Sequence, residues 1–472
     1  MNKIGLYDAA PLLIITVHFL MIPFIWDVLP SGMPDTPYHL LMGKMFSDYG
    51  RVCLWDYYEY APEGRPNLYP PLLHLAIWLI HDATGMDYWT IGKAISAVQY
   101  PLSLLAIWLF ARTVYGEVVG AYSTVFASTV MRFWWQQASV APSSTIAMLL
   151  PLYMLAVTRR SQVWICILLS SFLYLHMGFP LVIILCTLLY AALVKDWDIL
   201  KPVLASTVIY LPWLFHLWTY RSWIGEGVSG MRGLKVAWET NLLYTAFTLL
   251  GAAILLTRLR EKRYKILLAF TVGMLAILFT YGFRYFYHSP PVNSVLAGIG
   301  AAWLGSVISG KINVRKDIVY GLLLAGLLCL TLTKLPYLHL RPNAGVHMGD
   351  SITCRLLDHV SGGESFPYGW KWNSDPYLRL VANWIRENTM PDTIIHTRSG
   401  ILGDYLALLT DRRTSAGMFA EVKPDYWQRK AKLEDGVFIF TKDEYKRVPQ
   451  HVKQNVRIEV GFGPYMIGIP RR

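Results

Sequence analysis

The sequence predicts a polytopic α-helical membrane protein, with about eleven transmembrane helices followed by a soluble α/β domain at the C-terminus. Apolar residues make up 54% of the 472 residues and charged residues only 16%, whereas about 25% are charged in soluble globular domains. The mean hydropathy is +0.36, and the apolar residues are concentrated in runs long enough to cross a bilayer as helices. These observations exclude a soluble enzyme, a disordered chain and a small disulfide-stapled domain.

Nine apolar runs approach or reach the length of a transmembrane helix, about 17–25 residues. They are residues 10–29, 93–112, 162–178, 180–194, 202–219, 240–257, 265–282, 292–309 and 318–335. Two less regular runs, 118–134 and 145–158, bring the predicted number to eleven. The shorter segment 70–84 begins with two prolines and carries two histidines, so it is more typical of a helix lying at the membrane surface.

The distribution of basic residues predicts the orientation in the cell membrane. The formal net charge of +12 could indicate a nucleic-acid partner, but many basic residues lie in short connections between apolar runs. With a cytoplasmic N-terminus, fourteen fall in inner connections and five in short outer ones, as the positive-inside rule requires. The five outer residues are Arg132, Arg221, Arg232, Lys235 and Arg284. The loop 30–92 and the C-terminal region are therefore predicted to be extracytoplasmic, with no nucleic-acid partner.

The C-terminal region has the pattern of a separate folded domain. We predict a transmembrane domain over residues 1–336 and a soluble α/β domain over residues 337–472. Residues 375–388 show helical spacing, with Leu378, Val381, Trp384 and Ile385 on one face. Segments that alternate or are enriched in β-branched and aromatic residues predict strands at 392–397, 436–441, 456–461 and 465–470.

The first outer loop carries the most informative polar residues. Asp35 follows the first apolar run by a few residues, and His39 lies four positions later, which would place both on one face of a helix. Asp56 and Glu59 follow among several tyrosines. Such a polar, aromatic loop beside lipid suits a substrate with a sugar head and an isoprenoid tail. The alternative is that Asp35 caps a short helix and His39 packs beneath it.

Arginines in the outer connections are candidates for binding a lipid phosphate. Arg284 lies among aromatic residues near the outer end of a predicted span, where a guanidinium could hold a phosphate bidentately. The alternative is an interfacial arginine that reaches toward water. Arg221 and Arg232, in the outer loop 220–239, are further candidates; the glycine-rich stretch 225–230 between them suits a mobile lid.

These segments resemble the catalytic subunit of the archaeal oligosaccharyltransferases, a family of GT-C glycosyltransferases. The resemblance rests on DTPYH (35–39), WDYYEYAPEGRPNLYPPLLHL (55–75), FRYFYHSPPVNSVLAGIG (283–300), VANWIRENTMPDT (381–393) and GDYLALLTDRRTSAG (403–417). It covers most of the chain at the level of patterns. It implies a GT-C-like transmembrane fold and a polyprenyl-phosphate or dolichol-linked sugar donor.

Two family motifs are missing from this sequence. Pro142, Ser143 and Ser144 stand where the family carries the acidic pair of its second outer loop, which holds a divalent metal. SGILGDY (399–405) stands in the place of the sequon-reading WWDYG motif. The departures argue against metal dependence and against recognition of a peptide acceptor, so we expect no cofactor; a divalent metal is the alternative.

The resemblance and the residues together predict an inverting GT-C glycosyltransferase acting at the outer membrane face. Such an enzyme needs one carboxylate to accept the proton of the acceptor hydroxyl and cations to stabilise the leaving phosphate. Asp35 is the predicted general base. Arg284, Arg221 and Arg232 are the predicted donor-phosphate ligands, and Tyr38, His39, Asp56 and Glu59 the predicted substrate contacts. The acceptor is a glycan, a lipid or a protein.

Three other functions stay open at this point. One is an oligosaccharyltransferase-like transfer of a lipid-linked glycan to protein, against which the missing acids argue. Another is a non-enzymatic transporter of lipid-linked sugars, but transporters commonly show internal repeats and ionisable groups at mid-membrane depth. Only His18 lies near the middle of a predicted span. A non-catalytic scaffold would leave the acidic, aromatic first loop unexplained.

Overall fold

The computed structural model describes residues 5–224, 240–280, 282–333, 337–341, 345–349, 351–362, 375–418 and 436–471. Contacts between residues divide the chain into two compact units. The first comprises Met1–Ser31, Ile95–Leu211 and Gly230–Gly369; the second comprises Gly32–Ala94, Pro212–Ser229 and Trp370–Arg472. The predicted division at residues 336 and 337 follows the membrane rather than these contacts, and it stays a prediction.

Helices dominate the chain up to residue 332. In chain order they are α1 (Ala9–Met21), α2 (Asp35–Tyr49), α3 (Leu72–Thr84), α4 (Tyr88–Tyr115), α5 (Glu117–Ala127), α6 (Met131–Gln137), α7 (Pro142–Thr158), α8 (Gln162–Leu175), α9 (Phe179–Val194), α10 (Leu200–Thr219), α11 (Leu242–Thr257), α12 (Lys262–Thr280), α13 (Gly282–His288), α14 (Pro290–Ile312) and α15 (Lys316–Leu332). The later helices are α16 (Ile352–Val360), α17 (Pro376–Asn388), α18 (Gly400–Thr410), α19 (Lys442–Lys446) and α20 (Gln450–Asn455).

The described strands form three small sheets. They are β1 (Trp55–Asp56), β2 (Arg65–Pro66), β3 (Thr240–Asn241), β4 (Tyr337–Arg341), β5 (Gly345–Gly349), β6 (Ile394–Thr397), β7 (Arg413–Thr414), β8 (Gly436–Thr441), β9 (Val456–Phe462) and β10 (Tyr465–Pro470). The orders are β1-β2, β3-β4-β5 and β7-β6-β8-β10-β9. The helix at 375–388 and the four strands predicted in the C-terminal region are confirmed.

The apolar helices confirm a multi-pass membrane protein but not the predicted number of spans. In the part of the chain that the structure describes, four helical segments are long and apolar enough to cross a membrane: Leu6–Ile25, Tyr88–Tyr115, Trp197–Thr219 and Pro290–Ile312. A fifth is the pair α6 and α7, which is bent by 111°. Several other predicted runs form shorter apolar helices, and eleven spans stay a prediction.

The run predicted at 118–134 is interrupted for a local reason. Helix α5 ends at Ala127, where the hydroxyls of Ser128 and Thr129 donate to the carbonyls three residues earlier, at 2.7 and 2.8 Å. Such side-chain bonds to nearby backbone compete with helix continuation. Hydropathy does not register this competition, because the residues on both sides are apolar.

Close helix packing in the first unit depends on glycine. Helix α14 packs against α5, α11 and α15. A Cβ atom at Gly251 of α11 would lie 1.8 Å from the carbonyl oxygen of Leu296, and one at Gly300 of α14 would lie 2.5 Å from that of Phe247. Glycine lets the two backbones approach this closely, as is common between membrane helices.

The five-stranded sheet of the second unit is mixed and covered on both faces. β6 runs parallel to β7 and β8, while β10 runs antiparallel to β8 and β9. Ile395 and Val437 point to the face covered by α17 and α18. Phe438 and Phe440 alternate with them and meet residues of α19 and α20 on the opposite face.

Candidate active site

Asp35 is the first residue of α2 and is half-buried. Pro34 precedes it as the N-cap residue and makes no side-chain hydrogen bond to the helix. A carboxylate in the first turn is stabilised by the partial positive charge of the helix N-terminus. The prediction that Asp35 and His39 occupy one helix, four residues apart, is confirmed. Since the helix begins at Asp35, this residue is not its N-cap.

His39 lies in a buried cluster of aromatic rings and histidines. Its Nδ1 atom is 2.9 Å from Nε2 of His74 on α3, and the rings of Tyr38 and Tyr69 meet the His39 ring edge-on. His39 is 1% exposed and His74 fully buried. Burial lowers the pKa of His74 to about 3, so this imidazole is neutral. Substrate contacts by Tyr38 and His39 stay predictions.

Asp56 and Glu59 form ion pairs with an arginine that the sequence reasoning did not single out. β1 and β2 pair antiparallel with Asp56 opposite Arg65. The Arg65 Nε donates to Asp56 Oδ2 at 3.3 Å, and its Nη2 donates to Glu59 Oε2. None of the three side chains is more than 2% exposed. The other Asp56 oxygen accepts from the backbone N–H groups of Tyr58 and Glu59, which folds the loop around it.

Asp404 of α18 adds a third carboxyl group to this cluster. It is fully buried and interacts with the Glu59 carboxyl. Burial raises the pKa of Glu59 well above its ordinary value; Arg65 opposes the rise and Asp404 adds to it. Burial likewise raises the pKa of Asp404. At least one proton is therefore retained by the two groups under conditions in which exposed carboxyls have lost theirs.

Backbone bonds fasten the same loop to the edge of the five-stranded sheet. Thr414 of β7 donates its N–H to the carbonyl of Tyr58 at 2.8 Å and accepts from Ala61 at 2.9 Å. The N–H of Met418 donates to Glu59 Oε1 at 2.8 Å. Residues 58–61 are thus attached to β7 at the edge of the sheet, and the buried carboxyl of Glu59 is part of this attachment.

Lys44 joins α2 to the end of α18. Its Nζ atom lies 2.7 Å from Asp48 and 2.9 Å from Asp411. The spacing of Lys44 and Asp48 is visible in the sequence, but Asp411, Arg65 and Asp404 reach their partners only through the fold. The helix that begins at Asp35 is therefore joined directly to α18, by packing and by this ion pair.

The residues predicted to stand in the place of the sequon-reading motif lie on a helix. Asp404 and Tyr405 belong to α18 and are 0% and 4% exposed. The Tyr405 ring meets Trp89 edge-on, with ring centroids 4.8 Å apart. Both side chains are thus buried in the interior of the second unit.

Arg284 lies on α13 in the first unit and is half-buried. The same short helix carries Tyr287, whose hydroxyl accepts from Arg132 Nη1 at 3.1 Å. It ends at His288, whose ring stacks on Phe179 at 4.2 Å. Arg132 is therefore a second cation in contact with the helix of Arg284, although the sequence reasoning gave it no role beyond orientation.

Pro142, Ser143 and Ser144 begin α7, just after the bend. Gln136 Nε2 donates to the Ser143 hydroxyl at 3.1 Å, and the Ser144 hydroxyl donates to the Gln136 carbonyl at 2.7 Å. These bonds close the turn between α6 and α7. Within the described ranges, no three His, Cys, Asp or Glu side chains are grouped so as to hold a metal ion.

Of the two remaining arginine candidates, the structure describes only Arg221. Arg221 is exposed, its Nη1 donates to the carbonyl of Trp218 at 3.0 Å, and its guanidinium lies over the Trp218 ring. Arg232 and the glycine-rich stretch 225–230 lie outside the described residues. The structure therefore brings together Tyr38 with His39, and Asp56 with Glu59, while Arg284 belongs to the other unit.

Comparison with known proteins identifies the fold. No protein-family model and no curated protein sequence matches the chain significantly. The structure of ArnT from Cupriavidus metallidurans bound to undecaprenyl phosphate matches with a TM-score of 0.59 at 12% identity, covering 98% of this chain and 97% of that one. The apo oligosaccharyltransferase of Archaeoglobus fulgidus matches with a TM-score of 0.58 at 13% identity, covering 91% and 69%.

A third match is the oligosaccharyltransferase AglB of Archaeoglobus fulgidus in complex with an inhibitory peptide and a dolichol-phosphate. Its TM-score is 0.55 at 11% identity, and the match covers 93% of this chain and 70% of that one. These structures are GT-C glycosyltransferases. The chain therefore has the fold of the GT-C membrane glycosyltransferases, as the sequence resemblance implied.

Proposed function

We propose that the chain is an inverting GT-C glycosyltransferase, which transfers a sugar from a polyprenyl-phosphate-linked donor to an acceptor at the outer membrane face. The observation that carries the proposal is the match to ArnT over nearly the full length of both chains, in a structure that holds undecaprenyl phosphate. A polyprenyl phosphate is what remains of such a donor once the sugar has left.

In the proposed reaction, Asp35 accepts the proton of the acceptor hydroxyl. The acceptor oxygen forms a bond to the anomeric carbon, and the bond from that carbon to the phosphate oxygen breaks. The electron pair leaves with the polyprenyl phosphate, which needs no general acid because it is already a stable anion. Arg284, Arg221 and Arg232 supply the positive charge that stabilises this leaving group.

The first-loop acids were predicted from the sequence to contact substrate, whereas this proposal gives them a structural role. Asp56 and Glu59 are fully buried beside Arg65, so we propose that they hold the loop after α2 in place. Tyr38 and His39, on the same helix as Asp35, remain the proposed substrate contacts.

We further propose that transfer does not require a divalent metal. Ser143 and Ser144 supply hydroxyl groups where the resembled family supplies carboxylates, and carboxylates are the usual protein ligands of Mg²⁺. Both hydroxyls also bond to Gln136. Cationic side chains alone would then neutralise the phosphate.

The second candidate function is transfer of a lipid-linked glycan to protein. The match to the Archaeoglobus fulgidus oligosaccharyltransferase favours it, since 91% of this chain is covered. The interior positions of Asp404 and Tyr405 argue against it, because the side chains predicted to stand in the place of the sequon-reading motif are buried and do not face a peptide in solution. We therefore rank it second.

A donor screen tests the proposal. The purified full chain would be incubated with radiolabelled sugars on polyprenyl monophosphate, and separately with an oligosaccharide on dolichyl phosphate plus a sequon peptide, each with and without EDTA. We expect transfer from the monosaccharide donors, unaffected by EDTA. Transfer only to the peptide would favour the second candidate, and transfer abolished by EDTA but restored by Mn²⁺ would overturn metal independence.

A further inference from the structure

The chain segments that follow β6 and β8 pack on opposite faces of the five-stranded sheet. The connection that leaves β6 passes through α18 to β7, and α18 packs on the face that carries Ile395 and Val437. The connection that leaves β8 passes through α19 and α20, which pack on the opposite face. In open α/β sheets, the crevice at the carboxyl ends of strands where connections diverge in this way is the usual place for a ligand.

A cavity lies at this position. Its volume is about 480 Å³, within the range of small-molecule sites. Thr397 and Arg398 from the end of β6, and Ser415 from just after β7, contribute to its lining. Neither Asp35 nor any other residue proposed for sugar transfer lines it.

One side of the cavity is aromatic. The rings of His396 and Phe438 stack with centroids 4.6 Å apart, and Phe438 and Phe440 are nearly parallel at 6.0 Å. Burial lowers the pKa of His396 to about 4, so its imidazole is neutral at ordinary pH. This side offers apolar and aromatic contact to a ring and no charge.

The charged groups in the lining are two arginines and one glutamate. Arg398 and Arg447 are exposed, and neither forms an ion pair with a carboxylate among the residues described. The Glu444 carboxylate accepts hydrogen bonds from Thr441 N and Oγ1, at 2.9 and 3.0 Å, as the cap of α19. The lining therefore has a net positive charge, with guanidinium donors suited to a phosphate.

We propose that this crevice binds a phosphorylated monosaccharide, with the sugar ring toward the aromatic side and the phosphate toward Arg398 and Arg447. The ring and phosphate contacts rest on the sheet topology, the cavity and its charges, and the choice of a sugar as the ring rests on the proposed function. It gives the C-terminal domain a small-molecule site of its own.

Hydrogen exchange of the full-length protein in detergent tests this site. The probes are glucose 1-phosphate, methyl glucoside and inorganic phosphate, all at the same millimolar concentration. We expect glucose 1-phosphate to protect peptides spanning 394–400 and 438–449. Methyl glucoside should give no protection, and inorganic phosphate should bind at least about tenfold more weakly, because each lacks one of the two kinds of contact.

Variants at the two arginines decide whether the effect arises in the crevice. The double substitution Arg398→Ala and Arg447→Ala should weaken glucose 1-phosphate binding by more than about tenfold, as loss of charge-assisted hydrogen bonds predicts. Arg457→Ala is the matched control, since Arg457 is exposed on β9 and pairs with Glu459. The proposal is overturned if glucose 1-phosphate protects neither peptide, if the double variant binds it as well as the native chain, or if methyl glucoside or inorganic phosphate binds equally well.

Discussion

Three carboxyl groups and one guanidinium lie in the buried cluster of the second unit. Asp56, Glu59 and Asp404 would together carry three negative charges against the single positive charge of Arg65, without contact with solvent. Leaving an unpaired charge in the interior is costly, and protonation of a carboxyl removes that cost. The raised pKa values of Glu59 and Asp404 follow from this imbalance.

The cluster should make the attachment of the first loop dependent on pH. Because the folded chain retains protons on Glu59 and Asp404 above the ordinary carboxyl pKa of about 4, its stability falls as the pH rises through the interval up to their raised pKa values. We expect hydrogen-exchange protection at residues 58–61 and 414–418, corrected for intrinsic rates, to fall as the pH rises above the ordinary carboxyl range, by at most about tenfold per pH unit for each proton released. Asp56, Arg65 and Tyr60 face the two groups.

Two substitutions distinguish deprotonation of this cluster from a general loss of stability at high pH. Asp404→Asn removes one titrating group and keeps its size, so the pH dependence at residues 58–61 should flatten. Asp443→Asn, at an exposed pair with Lys446, should leave it unchanged. A native pH profile that is already flat, or one that Asp404→Asn does not alter, would contradict the proton-retaining cluster.

Arg284 is the residue on which the proposed phosphate contact depends most. Arg284→Ala should reduce kcat/KM for the lipid-linked donor by an amount equivalent to about 1.5–3 kcal/mol, the usual value of a hydrogen bond to a charged group. Arg284→Lys keeps the charge and should lose less. Arg260→Ala, at an exposed position, is the control. Equal and mild effects of Arg284→Ala and Arg284→Lys would favour an interfacial arginine that reaches toward water.

Residue contacts were predictable only over short sequence distances. The placement of Asp35 and His39 on one helix followed from their spacing of four residues. The interaction of Glu59 with Asp404 and the ion pair of Lys44 with Asp411 join segments that lie far apart in the chain. No local pattern encodes such a pair, because each residue alone is typical of a solvated surface.

At the scale of elements, glycine contacts between α11 and α14 give a direct test of packing. Gly251→Ala would place a Cβ atom 1.8 Å from the Leu296 carbonyl oxygen, so the helices must move apart. We expect destabilisation of about 1–3 kcal/mol, as for other overpacked sites, measured as a lower unfolding temperature in detergent. Gly321→Ala on α15, where no atom lies within 4 Å of the added carbon, should change little. A similar shift for both variants would contradict close packing at Gly251.

Strands and amphipathic helices of the C-terminal region were predictable, whereas breaks in the apolar helices were not. β8 and β10 coincide with the predicted segments 436–441 and 465–470, because alternation and β-branched residues mark a strand wherever it pairs. The bend between α6 and α7 depends on hydrogen bonds of Gln136 with Ser143 and Ser144. Hydropathy scales measure the transfer of side chains from water to an apolar phase and carry no information on these hydrogen bonds.

At the scale of the whole molecule, the orientation in the membrane is the next prediction to test. In a background with the exposed Cys329 replaced by serine, Glu387→Cys should react with a membrane-impermeant thiol reagent from outside intact cells. Arg159→Cys should react only after permeabilisation, because basic connections stay in the cytoplasm. Both positions are exposed. The reverse pattern would contradict the orientation and, with it, transfer at the outer face.

The membrane class was predictable from composition, and the fold from scattered motifs, although identity to the matched structures is only 11–13%. A fold tolerates such divergence because it depends on burial and helix packing, which many sequences satisfy. The reaction depends on a few side chains. The resemblance places Ser143, Ser144 and the buried Asp404 at positions of this kind, so we expect the reaction of this chain to differ from that of the resembled family.

Transfer by the native chain and by Asp35→Asn is the measurement that tests the proposed enzyme most directly. Asparagine keeps the size of aspartate and its ability to accept a hydrogen bond, but it cannot accept the acceptor's proton. With the polyprenyl-phosphate donor identified by the screen, we expect Asp35→Asn to bind the donor normally and to transfer at least about 100-fold more slowly, as loss of a positioned base predicts. Asp27→Asn, with a side chain 63% exposed, should keep nearly native turnover. Absence of transfer by the native chain from every polyprenyl-phosphate donor would contradict the proposed function, and turnover of Asp35→Asn above about a tenth of native would show that Asp35 is not the base.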